Sequence, residues 1–276
     1  MLAPTAESGS WRTAQVSSNA SYFLNNRPAW VDLSSSDPEA SREFYTRLLG
    51  WDIQVSPDPQ YGGYAMATDA GVGLAGIGPK MDPNAPTAWA LYIGTDDAAA
   101  LAKRVTDNGG KVVMAPFDVG DQGKMAVFQD PAGAFISAWQ ATGMRGFVSH
   151  QPGAFDWGEL NARNVASVLP FYEKVFGWQV LTQEAAQGQA PYNEFRLDGE
   201  NILGAWEMNP MVPDNVPAYW QVYFKVGDVD GAYALALQLG ARELVAPQDM
   251  TDGRFAIVMD PQGASFGLLN FQAPES

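Results

Sequence analysis

Cysteine is absent from this chain of 276 residues, and histidine occurs once, at His150. The lack of cysteine excludes disulfides, cysteine-bound zinc and thiol nucleophiles, and a single histidine excludes any site that needs two imidazoles. Basic residues are also few, with 16 Lys and Arg against 31 Asp and Glu, which gives a formal net charge of −15. Because that charge repels phosphate backbones and anionic surfaces, we expect neither nucleic acid nor a membrane as partner.

Long apolar runs are missing as well. No stretch of 18 apolar residues is present, so the sequence predicts no transmembrane helix. Residues 1–27 lack the basic and apolar regions of a secretion signal, and we therefore expect a cytoplasmic protein in which they form an N-terminal extension.

The chain contains an internal repeat. The segment from Trp30 to Trp51 aligns without gaps on the segment from Trp157 to Trp178, 127 positions later. An Asp-Pro-x-Gly sequence near the end of the first copy, at Asp130, recurs at Asp260. After the extension of residues 1–27, the repeat predicts a first domain over residues 28–145 and a second over residues 146–276.

Each half divides again into two units with the order strand, helix, strand, strand, strand. In the first unit Asp37 is a predicted N-cap, Pro38 occupies the first helical position and Gly50 ends the helix. Flanking segments with apolar and β-branched residues predict the strands. The pattern indicates an α+β fold of four βαβββ modules.

The repeated pattern Asp-x-x-x-Ser-x-x-Phe-Tyr-x-x-x-Leu-Gly-Trp from Asp37 to Trp51, with the paired Asp-Pro-x-Gly turns, resembles the vicinal oxygen chelate superfamily. That superfamily includes glyoxalase I, extradiol dioxygenases and bleomycin-resistance proteins. The chain is similar to two-domain members from actinobacteria. The resemblance implies two domains with curled mixed sheets, in which two modules enclose each cavity.

Metal enzymes of the superfamily take a His or Gln from the first strand of one module, another from the equivalent strand of its partner, and a Glu near the last strand. In this chain the three positions fall on Trp30, Ala90 and Ser137 in the first half and on Trp157, Gln221 and Gly267 in the second. Neither half retains a ligand set, so we expect no metal ion and no cofactor. We interpret His150 as a solvated residue of the segment between the halves.

Strand alternation predicts which side chains face the two cavities, because successive residues of a strand point to opposite faces. If the former metal positions face inward, residues two places along the same strands do so too, while Val31 and Leu33 pack beneath the helices. Each predicted cavity then contains an indole, a carboxylate and a phenol. The candidate ligand-binding residues are Trp30, Asp32, Tyr92, Ser137 and Trp139 in the first half and Trp157, Glu159, Gln221 and Tyr223 in the second.

Such a lining predicts metal-independent binding of an aromatic small molecule, for which Trp and Tyr offer π-faces and Asp32 or Glu159 could pair with an amine. The resemblance implies a polyketide antibiotic as one such ligand, in sequestration and resistance or as an accessory of antibiotic biosynthesis. Tyr61 and Tyr64 flank two glycines in a predicted loop, whose aromatic rings could fold over the ligand. Because the two halves can pair with each other, either a monomer or a homodimer is compatible with the sequence.

Two alternatives remain open at this level. The first is a cofactor-free enzyme, hydroxylase-like or isomerase-like, that uses Asp32 or Glu159 as acid or base after burial has raised the pKa of its carboxyl group. The second is an interaction protein with vestigial cavities, in which Trp30 and Trp157 fill the old metal positions as core aromatics.

Overall fold

The computed structural model describes residues 25–69, 72–144, 147–183 and 190–271. Most of the predicted extension and the predicted boundary between residues 145 and 146 lie outside the described residues. The helices are α1 (Pro38–Leu49), α2 (Ala98–Asp107), α3 (Leu169–Phe176) and α4 (Val229–Gln238). None of the helices in the described ranges is long and apolar enough to cross a membrane.

Two eight-stranded mixed sheets form the body of the protein. The first contains β1 (Pro28–Ser35), β2 (Asp52–Val55), β3 (Ala65–Asp69), β4 (Val72–Pro79), β5 (Ala88–Gly94), β6 (Lys111–Val119), β7 (Gly123–Gln129) and β8 (Phe135–Ala141). The second contains β9 (Phe155–Ala162), β10 (Gln179–Thr182), β11 (Asn193–Leu197), β12 (Glu200–Glu207), β13 (Tyr219–Lys225), β14 (Arg242–Met250), β15 (Gly253–Met259) and β16 (Ser265–Phe271).

The strand order is the same in both sheets. It runs β2-β3-β4-β1-β5-β8-β7-β6 in the first sheet and β10-β11-β12-β9-β13-β16-β15-β14 in the second. Within each sheet the first strands of two modules pair antiparallel at the centre, as β1 with β5 and β9 with β13. Each central strand also pairs parallel with the last strand of its own module. The predicted α+β fold of paired βαβββ modules is confirmed.

The local signals explain where the first helix begins and ends. The side chain of Asp37 accepts a hydrogen bond from the backbone N–H of Ala40 at 3.1 Å, and Pro38 occupies the first turn. Gly50 ends the helix with φ of 74°, a conformation that costs glycine little. On β1, Val31 and Leu33 are buried on the side of the helices, as alternation predicts.

The repeated aromatic motif also joins the two domains. The hydroxyl of Tyr45 on α1 donates to Asp260 of the second domain at 2.9 Å, and that of Tyr172 on α3 donates to Asp130 of the first at 2.7 Å. Both tyrosines are fully buried. The sequence analysis treated the Phe-Tyr motif and the Asp-Pro-x-Gly turn as separate features. The fold shows that the tyrosine of each domain contacts the turn of the other domain.

Candidate functional site

In the first domain, the pairing of β1 with β5 brings four predicted residue positions onto one face. Trp30 lies opposite Tyr92, and Asp32 lies opposite Ala90. Directly opposed residues of antiparallel strands share a face, so the indole, the carboxylate and the phenol converge. Tyr92 also pairs in register with Ser137 of β8, which extends the same face to a third strand.

Hydrogen bonds link these groups into a chain around the Asp32 carboxylate. The indole N–H of Trp30 donates to the hydroxyl of Tyr64 at 2.9 Å, and Tyr64 in turn hydrogen-bonds Asp32. From the other side, the hydroxyl of Tyr92 donates to Oδ2 of Asp32 at 3.1 Å. Asp32 is therefore held by two phenols. We call Trp30, Asp32, Tyr64 and Tyr92 the first cluster.

Burial controls the protonation of this carboxyl group. It raises the pKa of Asp32 to about 7, although the hydrogen bonds from Tyr92 and Tyr64 lower it. Burial, together with the charge of Asp32, also raises the pKa of Tyr92 and Tyr64 well above that of a free phenol. Near neutral pH the cluster thus has one group, Asp32, that can gain or lose a proton, and two phenols that remain hydrogen-bond donors.

The second domain repeats the arrangement. The indole N–H of Trp157 donates to the hydroxyl of Tyr192 at 2.8 Å, and the hydroxyl of Tyr223 donates to Oε1 of Glu159 at 3.4 Å. Tyr192 also hydrogen-bonds Glu159. Burial raises the pKa of Glu159 against three lowering hydrogen bonds, the first of them from Asn161. We call Trp157, Glu159, Tyr192 and Tyr223 the second cluster.

A glycine makes room for the phenol that links indole and carboxylate in each cluster. A Cβ atom on Gly76 would lie 1.7 Å from the hydroxyl oxygen of Tyr64. One on Gly204 would lie 1.8 Å from that of Tyr192. The tyrosine can therefore cross the neighbouring strand only where that strand has no side chain.

The remaining predicted site residues differ in how they join the clusters. Ser137 is buried and hydrogen-bonds Tyr92. Gln221 lies opposite Glu159, but its amide oxygen accepts from Ser265 at 2.7 Å. The indole N–H of Trp139 donates to the carbonyl oxygen of Met144 at 2.8 Å, so its polar group holds the chain after β8 and makes no hydrogen bond to the first cluster.

The linking phenols were only partly foreseen. Tyr64 entered the sequence analysis as a loop aromatic that could cover a ligand, whereas the structure places it immediately before β3 with a hydrogen bond to Asp32. Tyr192 was missed. The repeat contained the necessary signal, because Tyr192 follows Tyr64 by 128 positions, close to the spacing of the surrounding matches.

The two clusters differ in solvent access. The Trp30 side chain is 2% exposed and packs edge-on against Phe147 from the segment between the domains, with ring centroids 5.9 Å apart. Trp157 is half-buried. Its neighbour is Phe271 of β16, at 6.2 Å. The indole in the first domain is thus part of the hydrophobic core, whereas the one in the second domain keeps a surface that water reaches.

The residues at the former metal positions do not fit a metal ion. An indole nitrogen carries its lone pair in the ring and its hydrogen toward a phenol, so neither Trp30 nor Trp157 can coordinate. The described residues contain no group of three His, Cys, Asp or Glu side chains that could hold a metal. Gln221 offers a single amide oxygen, which also accepts a hydrogen bond from Ser265, and one such oxygen does not hold a divalent ion.

His150 lies outside both clusters. Its ring is largely exposed, as predicted for a residue between the two halves, but Nδ1 lies 3.0 Å from the carboxylate of the buried Asp156. The imidazole is thus held in place beside the start of β9, a contact that the sequence analysis did not anticipate.

Taken with the fold, these features define a two-domain protein built from four βαβββ modules, with a hydrogen-bonded carboxylate in each domain. The chain belongs to the Glyoxalase/Bleomycin resistance protein/Dioxygenase superfamily, whose profile matches residues 27–137 and 154–268. The family resemblance seen in the sequence is therefore confirmed.

Similar proteins are known by sequence and by structure. "Putative glyoxylase CFP32" of Mycobacterium tuberculosis is 39% identical over 256 residues, covering 90% of this chain and 96% of that protein. "Anthracycline biosynthesis protein DnrV" of Streptomyces peucetius is 35% identical over 265 residues, covering 91% and 95%. The 2,3-dioxygenase LapB of Pseudomonas sp. KL28 shares the fold, with a TM-score of 0.63 at 16% identity and coverage of 93% of this chain and 96% of LapB.

Proposed function

We propose that this protein binds a planar aromatic small molecule that carries an amine, without a metal ion, and acts as an accessory or sequestering protein for an antibiotic. The observation that supports the proposal is the repeated cluster, in which a carboxylate is held by two phenols beside an indole. Phenols orient and solvate the carboxylate but supply no positive charge.

The charge balance of the clusters favours a cationic ligand. Among the ion pairs of the described residues, none involves Asp32 or Glu159. A half-buried carboxylate without a cation is less stable than in water, and a ligand ammonium group would provide the missing partner through a charge-assisted hydrogen bond. Indole and phenol rings around it suit both a cation and a flat aromatic body.

The sequence relatives support the same ligand class. Two of them, DnrV and DauV from Streptomyces, are named as anthracycline biosynthesis proteins. An anthracycline that carries an amine would combine a planar aromatic body with a cation, the two features that the clusters suit. An accessory role in handling such a compound is therefore the function that best agrees with the site.

The test is a tryptophan fluorescence titration with an amine-bearing anthracycline and with its N-acetyl derivative, which has lost the positive charge. We expect quenching by the amine, weaker binding of the acetylated compound, and no change after dialysis against EDTA. Glu159→Gln and Asp32→Asn test the carboxylates, and Asp214→Asn is the control at an exposed position. Equal binding of both compounds, or loss of binding after EDTA, would overturn the proposal.

A second candidate is a cofactor-free enzyme that uses Asp32 as acid or base. The raised pKa of Asp32, about 7, favours it, since such a group can both accept and release a proton at neutral pH. Chromatographic analysis of the incubated ligand separates the two functions. Turnover that disappears in Asp32→Asn while affinity remains would indicate catalysis, whereas an unchanged ligand supports binding alone.

A further inference from the structure

The two clusters have different neighbours on the equivalent strands of the two sheets. In the second sheet, Asn161 of β9 lies in register with Trp206 of β12 on one side and Tyr219 of β13 on the other. This row is adjacent to the row of Glu159, because Asn161 is two residues further along β9 and shares its face. We call Trp206, Asn161 and Tyr219 the aromatic row.

The aromatic row is in contact with the second cluster. The ring of Trp206 lies 5.5 Å from that of Tyr192, centroid to centroid. Nδ2 of Asn161 lies 3.4 Å from Oε1 of Glu159, to which it donates. Burial and the charge of Glu159 both raise the pKa of Tyr219. All three residues are half-buried, so part of each side chain is open to solvent.

The corresponding row of the first sheet contains no large side chain. Ser34 of β1 lies in register with Gly78 of β4 and Ala88 of β5. Tyr64 covers this region, since a Cβ atom on Gly78 would lie 2.9 Å from its ring. The first domain therefore has the carboxylate cluster without the two flanking aromatic rings.

We infer that the ligand binds in the second domain, with its planar rings against Trp206 and Tyr219 and its amine at Glu159, and that the aromatic row selects extended fused-ring compounds. This inference rests on the proposed function. Adjacent strands lie about 4.8 Å apart, so the outer two strands of the row are separated by roughly 10 Å. That span suits a tricyclic or tetracyclic ring system better than a single ring. Asn161, between the two rings, can donate to or accept from an oxygen substituent on the ligand.

Isothermal titration calorimetry with the amine-bearing anthracycline tests the inference directly. We expect one molecule bound per chain, and a loss of affinity of about tenfold in Trp206→Leu and in Tyr219→Leu, because each removes one ring face from the ligand. Tyr233→Leu is the matched control, since Tyr233 is a half-buried tyrosine on α4, outside both clusters. A monocyclic aromatic amine should bind weakly and lose little in the same variants.

Circular dichroism shows whether each variant folds. The double variant Trp206→Gly and Tyr219→Ala, which gives the second domain the residues that the first domain has at these places, should lose affinity while it remains folded. Two equivalent sites per chain, or unchanged affinity in both leucine variants, would overturn this inference while leaving the proposed function intact. Failure of the wild-type protein to bind the anthracycline would overturn both.

Discussion

The hydroxyl of Tyr45 in the first domain donates to the carboxylate of Asp260 in the second, and Tyr172 makes the reciprocal contact with Asp130. Each acceptor aspartate also caps its own Asp-Pro-x-Gly turn, as Asp260 does by accepting from the backbone of Gln262 and Ala264. Each donor tyrosine also accepts from a buried indole, as Tyr45 does from Trp89 at 2.9 Å. One hydroxyl thus joins a helix, a central strand and a turn of the opposite domain.

Tyr45→Phe should destabilise the protein by about 1–3 kcal/mol, because it removes the hydrogen bond to Oδ2 of the buried Asp260 and leaves the buried indole N–H of Trp89 without its acceptor. Tyr172→Phe should have a similar effect. Urea denaturation followed by tryptophan fluorescence measures both, with Tyr233→Phe as a control on the surface of α4. Losses no larger than that of the control would show that the hydroxyls add nothing to the docking of the two domains.

The stability of the protein should depend on pH through Asp32. Its pKa in the folded state, about 7, lies above the ordinary value of 3.8, so the folded protein holds a proton that the unfolded chain has already lost. The contribution of Asp32 to the free energy of unfolding therefore falls as pH rises from about 4 to about 7. Above pH 7 the loss of stability that comes from ionising Asp32 in the folded protein stays constant.

Asp32→Asn removes that loss of stability. The stability difference between the variant and wild type should increase by about 2–3 kcal/mol from pH 5 to pH 8. Urea denaturation at the two pH values measures the difference, with Asp214→Asn, at an exposed position, as the control. A constant difference between wild type and Asp32→Asn would mean that the carboxyl group titrates normally in the folded protein.

Ligand affinity should also depend on pH, through Glu159. Burial raises the pKa of this carboxyl group, and only the ionised form attracts an ammonium group. Affinity for the amine-bearing anthracycline should therefore increase as pH rises through that pKa, until the amine itself loses its proton. Calorimetric titrations across this range should show a flat profile in Glu159→Gln. A wild-type profile that is equally flat would argue against an ion pair at Glu159.

Two glycines under tyrosine rings should respond differently to alanine. In Gly204→Ala the new methyl group meets the hydroxyl of Tyr192, the movable end of that side chain. In Gly267→Ala it meets Cδ1 of Tyr223 at 1.9 Å and Cγ at 2.6 Å, close to where the ring joins the backbone.

We therefore expect Gly204→Ala to fold with little loss of stability but with weaker ligand binding, because Tyr192 moves away from Glu159. Gly267→Ala should lose about 1–3 kcal/mol through overpacking. Thermal denaturation together with fluorescence titration separates the two effects. The reverse order of stability would show that the ring of Tyr223 moves more freely than its packing indicates.

The two-residue period of the predicted strands was enough to place several candidate residues on one face. Once Trp30 and Trp157 were placed on the first strands of two modules, a period of two residues put Asp32 and Glu159 on the same faces. The partner strands contributed Tyr92 and Tyr223 in the same way. Trp139 shows the limit of this reasoning, because its indole hydrogen-bonds the chain after β8, and alternation does not reveal where a long side chain ends.

The sequence by itself determined the four modules and the start and end of the first helix, since these depend on residue type, spacing and local backbone preference. Tertiary structure decided which groups lie together: Tyr192 with Glu159, Tyr45 with Asp260, and Trp206 and Tyr219 on either side of Asn161. The physical reason is that such contacts depend on sheet register and on the docking of two domains. Both are set by the burial of many side chains together, and no short stretch of sequence contains them.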